Sequence, residues 1–406
     1  MKLEYPTLLT LIVVAGLSHS GRAQIAVRGD RVYTLAGPVI TDGMVIIRDG
    51  KIAAVGSAAE LAAPEGFLLL RAAVVTPGLV DAHSTVGLSG SFNTDHDRDQ
   101  LERSKALQPS LRAVDAYNPQ ETLVSWLRSF GVTTVHTGHA PGELISGQTI
   151  IVKTVGTTCE EALMVSDAMV VSTLGTTARK GNGKSPGTRG KMMALLRAEL
   201  IKAREYAEKR EKEDVSKHPA RDLGLEALTA VLAREKPLLI TAHRSQDIAS
   251  ALRLAEEFEF KLVLDGAAEA YLLIDQLRAA SVPIIVHPTM ARATGERENL
   301  TLENAALLRH AGLVVALQSG YESYVPKTRV VLFEAAVAAA YGLSFEEALA
   351  SITLDAARII GVADRVGSLE VGKDGDLALY DGDPFEYTSH CIGVVIEGTV
   401  VSQEAR

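Results

Sequence analysis

Cysteine is scarce in this chain, which has two among 406 residues. Cys159 and Cys391 form no Cys-x-x-Cys pair, so the sequence argues against a metal site built from thiolates. In an oxidising compartment the two could pair, but the sequence does not show whether they approach each other. Nor is the segment GNGKSPG (residues 181–187) a phosphate-binding loop, because it lacks the GxxxxGK[ST] spacing.

The chain also lacks an excess of positive charge. Its 41 lysines and arginines are outnumbered by 50 aspartates and glutamates, which gives a formal net charge of -9. No nucleic-acid partner is predicted, because such a partner requires a basic surface. A hydrophobic content of 47% and a charged content of 22% are typical of a globular protein. The length allows two ordinary domains or one large barrel with a smaller companion.

The apolar run near the start, Thr7 to Leu17, is too short to cross a bilayer, so no stable membrane anchor is predicted. Lys2 precedes the run, and Gly21-Arg22-Ala23 supplies small residues for cleavage before Gln24. No cysteine follows the run, which argues against a lipoprotein. We expect residues 1–23 to be a signal peptide and the protein to be periplasmic or secreted. The alternative is a buried N-terminal strand or helix.

Short apolar runs separated by turn dipeptides, such as Asp42-Gly43 and Asp49-Gly50, occupy both ends of the chain, which is typical of β-hairpins. Between the ends, candidate strands alternate with candidate helices, as a parallel barrel requires. The predicted strands are Gly131–Gly138, Pro237–His243, Phe260–Gly266, Val282–Pro288 and Gly312–Gly320. The predicted helices are Met192–Glu213, Gln246–Phe258, Ala267–Ala280 and Leu302–Ala311, with a further helix capped by Asn118. The glycine-rich and lysine-rich segment 176–190 is a substrate lid or a plain flexible insertion.

Polar residues follow most of these apolar strands. In a (β/α)8 barrel the active site lies at the carboxyl ends of the strands. A lone histidine there is more often structural, but so many polar strand ends together predict a polar pocket at the barrel mouth. The residues are His83, His136, His139, His243, Asp265, His287 and Gln318.

Three segments carry a resemblance to a known family. VVTPGLVDAHSTVG (residues 74–87) resembles the first barrel strand of the amidohydrolase superfamily, PGLID-x-H-x-H, and GSLEVGKDGDLALYDGDPFE resembles the last motif of that superfamily. AHRSQDI, which begins at Ala242, resembles the imidazolonepropionase-like subgroup. The resemblance implies an α/β fold, with a (β/α)8 barrel over residues 77–365. Residues 24–76 and 366–406 would form a composite β-sandwich.

The resemblance also implies positions for metal ligands. His83 matches the first histidine of strand one, and Thr85 stands where the second would be. His243 matches the histidine of strand five, and Asp265 occupies the strand-six position where the subgroup has a histidine. At the end of strand eight, where an aspartate usually acts as ligand and base, the chain has Gln318 or Ser319. Glutamine cannot take a proton from water.

From this comparison, His83, His243 and Asp265 are predicted to hold one divalent metal, zinc first and iron or manganese as alternatives. Such a metal lowers the pKa of its bound water to about 7. His287 and Asp265 are the predicted catalytic residues for proton transfer. His139, Arg244 and Gln318 are the predicted substrate-binding residues. Lys153 is either a metal-bridging carbamylated lysine, as in some amidohydrolases, or a salt-bridged lysine.

The predicted function is an exported hydrolase of carbon–nitrogen bonds in cyclic amides, N-acyl compounds or dipeptide-like compounds. The chain would therefore act on a small molecule. Thr85 and Gln318 support an alternative, a metal-free binding protein or pseudoenzyme on the same barrel. A third hypothesis is a scaffold that pairs with a more complete amidohydrolase, and a homodimer is a further prediction from the family.

Overall fold

A computed structural model describes residues 24–91, 94–212, 214–321 and 330–406. The predicted signal peptide lies outside these ranges. The strands are β1 Ile25–Val32, β2 Ile40–Arg48, β3 Lys51–Ser57, β4 Leu68–Pro77, β5 Leu79–Ser84, β6 Val132–Thr137, β7 Ile145–Gln148, β8 Ile150–Lys153, β9 Leu163–Val165, β10 Val170–Thr173, β11 Leu238–Ala242, β12 Leu262–Gly266, β13 Ile284–Val286, β14 Val315–Leu317, β15 Leu377–Tyr380, β16 Cys391–Ile396 and β17 Thr399–Ser402.

The α-helices are α1 Thr122–Ser129, α2 Cys159–Ala162, α3 Arg189–Arg210, α4 Leu223–Leu232, α5 Ser245–Phe258, α6 Ile274–Ala279, α7 Asn304–His310, α8 Val331–Ala340, α9 Phe345–Ser351 and α10 Leu354–Ile360. In the part of the chain that the structure describes, none of them is both long and apolar enough to cross a membrane. Both cysteines are free.

The two ends of the chain meet in one sheet, which we call the terminal sheet. Its strand order is β17-β16-β15-β4-β1-β2-β3. β4 pairs in parallel with β1 on one side and antiparallel with β15 on the other, where Pro77 is the partner of Leu377. The pairing thus joins the beginning and the end of the described chain. The predicted sandwich form and the domain boundaries stay predictions.

Two inner sheets lie between the ends of the chain, with strand orders β14-β13-β12-β11-β10-β7 and β5-β6-β8-β9. β10 to β14 run parallel to one another. Beyond the end of β14, Gly320 forms a parallel bridge with Ser84 of β5, and its N–H donates to the His83 carbonyl at 3.1 Å. The last parallel strand is therefore linked to the first strand of the other sheet.

The register of β11 to β14 explains where the polar residues gather. Thr241 aligns with Asp265, Asp265 with Ile285, and Ile285 with Ala316. Side chains two residues apart share one face of a strand, so an apolar layer lies beneath a polar one. The apolar layer contains Leu239, Val263, Ile285 and Ala316, which cluster with residues of α10. The polar layer, two residues further along each strand, contains Thr241, Asp265, His287 and Gln318.

The five predicted strands are all observed, with shorter bounds, as β6 and β11 to β14. The predicted helix over Ala267–Ala280 is wrong in its first half, because Ala267 has a left-handed φ of 53° and α6 begins only at Ile274. The prediction of Asn118 as a helix cap is also wrong, because its side chain accepts the Gln120 N–H at 3.0 Å in a turn. Helix α1 starts at Thr122.

Candidate functional site

The centre of the candidate site is a hydrogen-bonded pair, His83 and Asp265. Imidazole Nδ1 of His83 lies 3.0 Å from Oδ1 of Asp265, and both side chains are buried. The pair forms because β5 and β12 bring residues 182 positions apart to the same edge of the inner sheets. Since an ionised carboxylate only accepts hydrogen bonds, Nδ1 carries a proton. Nε2 of His83 has no hydrogen-bond partner among the described residues.

The Asp265 carboxylate accepts two further hydrogen bonds. The Thr241 hydroxyl donates to Oδ2 at 2.6 Å, and the Gln318 amide Nε2 donates to Oδ1 at 2.8 Å. Thr241 lies on β11, which pairs with β12, and Gln318 follows β14, which lies two strands from β12 on its other side. Sequence reasoning missed Thr241, although its position two residues before His243 places it on the same strand face.

Burial and charge act in opposite directions on this pair. Burial alone would lower the pKa of His83, but the negative charge and hydrogen bond of Asp265 raise it. Burial alone would raise the pKa of Asp265, but the charge and hydrogen bond of His83 lower it, with help from Thr241 and Gln318. Both shifts favour an imidazolium–carboxylate ion pair.

His243 and His287 are neutral imidazoles at the ends of β11 and β13. Burial, with a smaller contribution from the positive charge of Arg297, lowers the pKa of each to about 4. Nδ1 of His287 donates to the Pro288 carbonyl at 2.8 Å, so Nε2 of this neutral ring is the acceptor. Nε2 of His287 and Nδ1 of His243 have no partner within the described ranges. Sequence reasoning did not single out Arg297, and no motif marks it.

His136 and His139 differ although both are buried. The ring nitrogens of His136 lie 2.7 Å from the Ala82 carbonyl and 2.7 Å from the Thr149 hydroxyl, and burial lowers its pKa to about 3. His136 is therefore a satisfied structural histidine. Neither ring nitrogen of His139 has a partner in the described part of the chain, and burial lowers its pKa to about 4. Its predicted contact with substrate stays a prediction.

Arg244 lies in a network of ion pairs between loops. Its guanidinium contacts Glu269 at 2.7 Å and Glu298 at 2.6 Å. Glu269 also accepts the Ser245 backbone N–H at 2.7 Å and the Asn299 amide at 2.8 Å. These contacts fasten together the segments that follow β11, β12 and β13. In the structure the charge of Arg244 is paired with Glu269 and Glu298. Its contact with substrate stays a prediction.

The lysine-rich segment after β10 is held at several points. Lys180 forms an ion pair with the fully buried Glu143. The Thr176 N–H donates to Glu296 at 2.6 Å, and Arg189 contacts Glu296 at 3.0 Å. Arg189 also contacts Asp247 of α5 at 2.8 Å. The segment is thus tied to the loops around the candidate site.

Two residues beside His83 have partners of their own. The carboxylate of Asp81 accepts the Ser319 N–H at 3.0 Å and the Ser319 hydroxyl, and burial raises its pKa to about 6. The Thr85 hydroxyl donates to Ser89 at 3.3 Å. Thr85, which stands where the family's second histidine would be, therefore contacts its own loop.

Two of the three predicted metal ligands, His83 and Asp265, are engaged with each other in this structure. No group of three or more His, Cys, Asp or Glu within the described ranges is arranged to hold an ion. The physical reason is that His83 and Asp265 bind each other, while the other oxygen of Asp265 accepts from Thr241. The ligand set of His83, His243 and Asp265 stays a prediction. Lys153 contacts Asp374 at 3.0 Å and also Asp376, so it is the salt-bridged lysine of the two alternatives.

The amidohydrolase family model matches residues 98–402. The amidohydrolase tasK of Hapsidospora irregularis is 26% identical over 356 residues, which are 80% of this chain and 36% of that protein. This chain thus spans about a third of the length of that relative.

Two further relatives match along most of their length. An imidazolonepropionase of Fusobacterium nucleatum is 23% identical over 386 residues, 87% of this chain and 88% of that protein. The crystal structure of an amidohydrolase from Thermotoga maritima superposes with a TM-score of 0.88 at 29% identity, covering 94% of this chain and all of the other. The likeness therefore extends over the inner sheets and the terminal sheet together.

Proposed function

Because the chain belongs to the amidohydrolase family and is a hydrolase of carbon–nitrogen bonds, we propose that its substrate is a cyclic amide, an N-acyl compound or a dipeptide-like compound. The imidazolonepropionase relative supports the cyclic amide first. The buried site, with neutral imidazoles at its edge, supports a small uncharged reacting group. Ordinary peptides are not proposed as substrates.

The observation that carries the proposal is the His83–Asp265 pair with its unpartnered Nε2. The step needs the molecules in which His83 is neutral, and their fraction grows as pH rises through the raised pKa of His83. In these molecules a water molecule adds to the carbonyl carbon, and its proton passes to Nε2 of His83. The carbon–nitrogen bond then breaks, and the proton passes to the leaving nitrogen. The products are a carboxylic acid and an amine. Asp265 strengthens the base by stabilising the imidazolium that forms. Nε2 of His287 accepts a hydrogen bond from a substrate N–H.

Activity of purified protein on a panel of cyclic and acyclic amides tests this proposal. His83→Ala is expected to lower activity by about 10²–10⁴-fold, the usual contribution of a positioned base. The matched control is His96→Ala, since the side chain of His96 is 80% exposed. Full activity of His83→Ala would rule out the proposed base.

One divalent metal, zinc before iron or manganese, stays the predicted cofactor, and elemental analysis of protein purified without chelators tests it. About one metal per chain, lost in His83→Ala or His243→Ala, would support that prediction. No metal together with amide hydrolysis would favour the histidine–carboxylate base alone. No metal and no hydrolysis would favour the binding protein or pseudoenzyme. No step proposed above passes through a metal.

We propose further that the inner sheets close into a (β/α)8 barrel over residues 77–365 and that the terminal region is a β-sandwich. The bridge between Ser84 and Gly320 and the Thermotoga maritima structure support closure. An experimental structure tests it, because a gap between β5 and β14 would contradict a closed barrel.

Export is proposed from the apolar run before Gln24. N-terminal sequencing of the protein from the periplasm or medium is expected to begin at Gln24, and an uncleaved cytoplasmic chain would contradict export. A homodimer or a pairing with a related amidohydrolase is tested by light scattering of the purified protein and by co-purification.

A further inference from the structure

The amide group of Gln318 faces three hydrogen-bond acceptors. Its Nε2 lies 2.8 Å from Oδ1 of Asp265, 3.2 Å from the Val286 carbonyl and 3.4 Å from the Ile285 carbonyl. The side chain is 4% exposed. None of these three partners can donate a hydrogen bond in its ionised or main-chain form.

These partners fix which way the amide points. If the amide were turned over, Oε1 would face two carbonyl oxygens and a carboxylate oxygen, which would repel it in a buried site. The NH₂ group therefore faces Asp265. Because its two hydrogens already serve three acceptors, only Oε1 is left for another partner.

The carboxylate of Asp265 is consequently held from three directions, by Thr241, Gln318 and His83. Oδ1 accepts from both Gln318 and His83, so the position of the amide sets the direction in which that oxygen meets the imidazole. A carboxylate that keeps this direction keeps the proton of His83 on Nδ1, because a hydrogen-bond partner of one ring nitrogen decides where the ring proton lies.

We propose that Gln318 is a positioning residue, whose amide holds the Asp265 carboxylate so that His83 keeps its proton on Nδ1 and presents Nε2 to the substrate. The proposal rests on the proposed function for the role of Nε2 as a base. The sequence predicted that Gln318 binds substrate. The amide nitrogen does not serve that role in this proposal, because its hydrogens already face Asp265 and two main-chain carbonyls.

The test uses two variants of the full chain. Gln318→Met keeps the length of the side chain and removes both donors. Gln318→Glu keeps the shape and places a carboxyl group against Asp265. The control is Gln148→Met, because Gln148 is also a buried glutamine whose amide donates to a main-chain carbonyl, that of Pro109 at 3.0 Å, on β7 and without a contact to Asp265.

The first readout is nuclear magnetic resonance of protein labelled with ¹⁵N-histidine, in which the His83 signals are identified by their loss in His83→Gln. We expect a protonated Nδ1 in the unchanged protein and in Gln148→Met. In Gln318→Met and Gln318→Glu the Nδ1 proton is expected to exchange rapidly or to move to Nε2. An unchanged His83 signal in both variants would overturn the proposal, whether or not the protein hydrolyses an amide.

The second readout is kinetic. Gln318→Met is expected to lower kcat by about 10–100-fold, the usual effect of losing a partner that orients a reactive group, while KM stays within about twofold. A raised KM with unchanged kcat would instead assign Gln318 to substrate binding and overturn the positioning role. If His83→Ala keeps full activity, the proposed base fails, and the resonance experiment still decides the role of Gln318. If Gln318→Met does not fold, Gln318→Glu carries both readouts.

Discussion

The pKa values of the two buried aspartates near His83 depend on the single residues that each carboxylate contacts. Asp265 and Asp81 are both buried, yet the pKa of Asp265 is lowered and that of Asp81 is raised to about 6. In both residues burial raises the pKa. The difference arises because Asp265 faces the imidazole directly, whereas Asp81 accepts mainly from neutral Ser319 groups.

Asp81→Asn is expected to change the pH dependence of stability. The pKa of Asp81 rises from 3.8 to about 6 on folding, so the folded protein binds this proton more tightly. Protonated Asp81 therefore contributes to the free energy of unfolding at low pH. Roughly 3 kcal/mol of this contribution is lost as pH rises from about 4 to about 6. Asn keeps the shape and does not ionise. Between pH 4 and pH 7 the free energy of unfolding of the variant is expected to rise relative to the unchanged protein.

Urea unfolding at both pH values measures this difference, and Ser319→Ala serves as a second variant that keeps the acid. A difference between Asp81→Asn and the unchanged protein that does not vary with pH would show that Asp81 ionises normally.

Sequence reasoning found most side chains of the site but not their contacts. His83, His243, Asp265, His287 and Gln318 do lie at neighbouring strand ends, because strand faces follow the two-residue period. It did not predict that Asp265 binds His83 or that Arg244 binds Glu269 and Glu298. Those pairings depend on register and on side-chain direction, which a single sequence does not contain.

At the scale of elements, Lys153 joins an inner sheet to the segment before β15. This lysine of β8 is 3% exposed and contacts Asp374 at 3.0 Å and also Asp376. Lys51 of β3 contacts the same Asp374 at 2.6 Å, but half of its side chain is exposed. The two lysines therefore provide a comparison of a buried and a half-exposed cation on the same buried carboxylate.

Lys153→Met is expected to lower the free energy of unfolding by about 3–5 kcal/mol, because it removes the cation from buried Asp376, while Asp374 keeps Lys51 and Arg365. Lys51→Met is expected to cost less than Lys153→Met, because half of the Lys51 side chain lies in water and Asp374 keeps Lys153 and Arg365. Chemical unfolding of both variants measures the costs. Equal costs for the two would contradict the assignment of Lys153 as a buried link between sheets.

Strands that lie in a long apolar run of the sequence were predictable as elements, including β13 and β14, although each is only three residues long in the structure. β11 and β12 lie in apolar runs that end in a polar residue, and both were predicted. β7 to β10 are three or four residues long and lie in shorter apolar runs bounded by polar residues, and they were not predicted. The predicted helix after β12 is interrupted because Glu269 binds Arg244 and the Ser245 N–H.

Across the described part of the molecule, four histidines with lowered pKa values make the fold sensitive to acid. Burial lowers the pKa of His136 to about 3 and the pKa values of His139, His243 and His287 to about 4. The unfolded chain, with ordinary values near 6.5, therefore binds more protons. Their contribution to stability is complete above about pH 6.5 and is lost as pH falls towards 4, at roughly 2 kcal/mol for each residue by pH 5.

His139→Leu is expected to remove one such contribution, so that its loss of stability between pH 7 and pH 5 is smaller by about 2 kcal/mol. Urea unfolding in the presence of a chelator measures this, with the exposed His96→Ala as control. The same acid sensitivity in His139→Leu and the unchanged protein would mean that His139 is not buried in its neutral form.

The family and the α/β class were predictable from the motifs that resemble the amidohydrolases, which lie near both ends of the inner sheets. The family match over residues 98–402 confirms the family. The joining of the chain ends in one sheet was implied by the resemblance and not by any local pattern. The sequence of a strand does not indicate a pairing partner three hundred positions away, so only the resemblance to a known family predicted this pairing.

The pairing of β4 with β15 also depends on the order in which the chain is synthesised. Pro77 of β4 meets its partner Leu377 only after 300 further residues have been made, which takes about 15–60 s at about 5–20 residues per second. Until then β4 has an open edge, of the kind that invites pairing with other chains. The edge of β4 therefore stays unpaired while these 300 residues are made, and β15 then covers it.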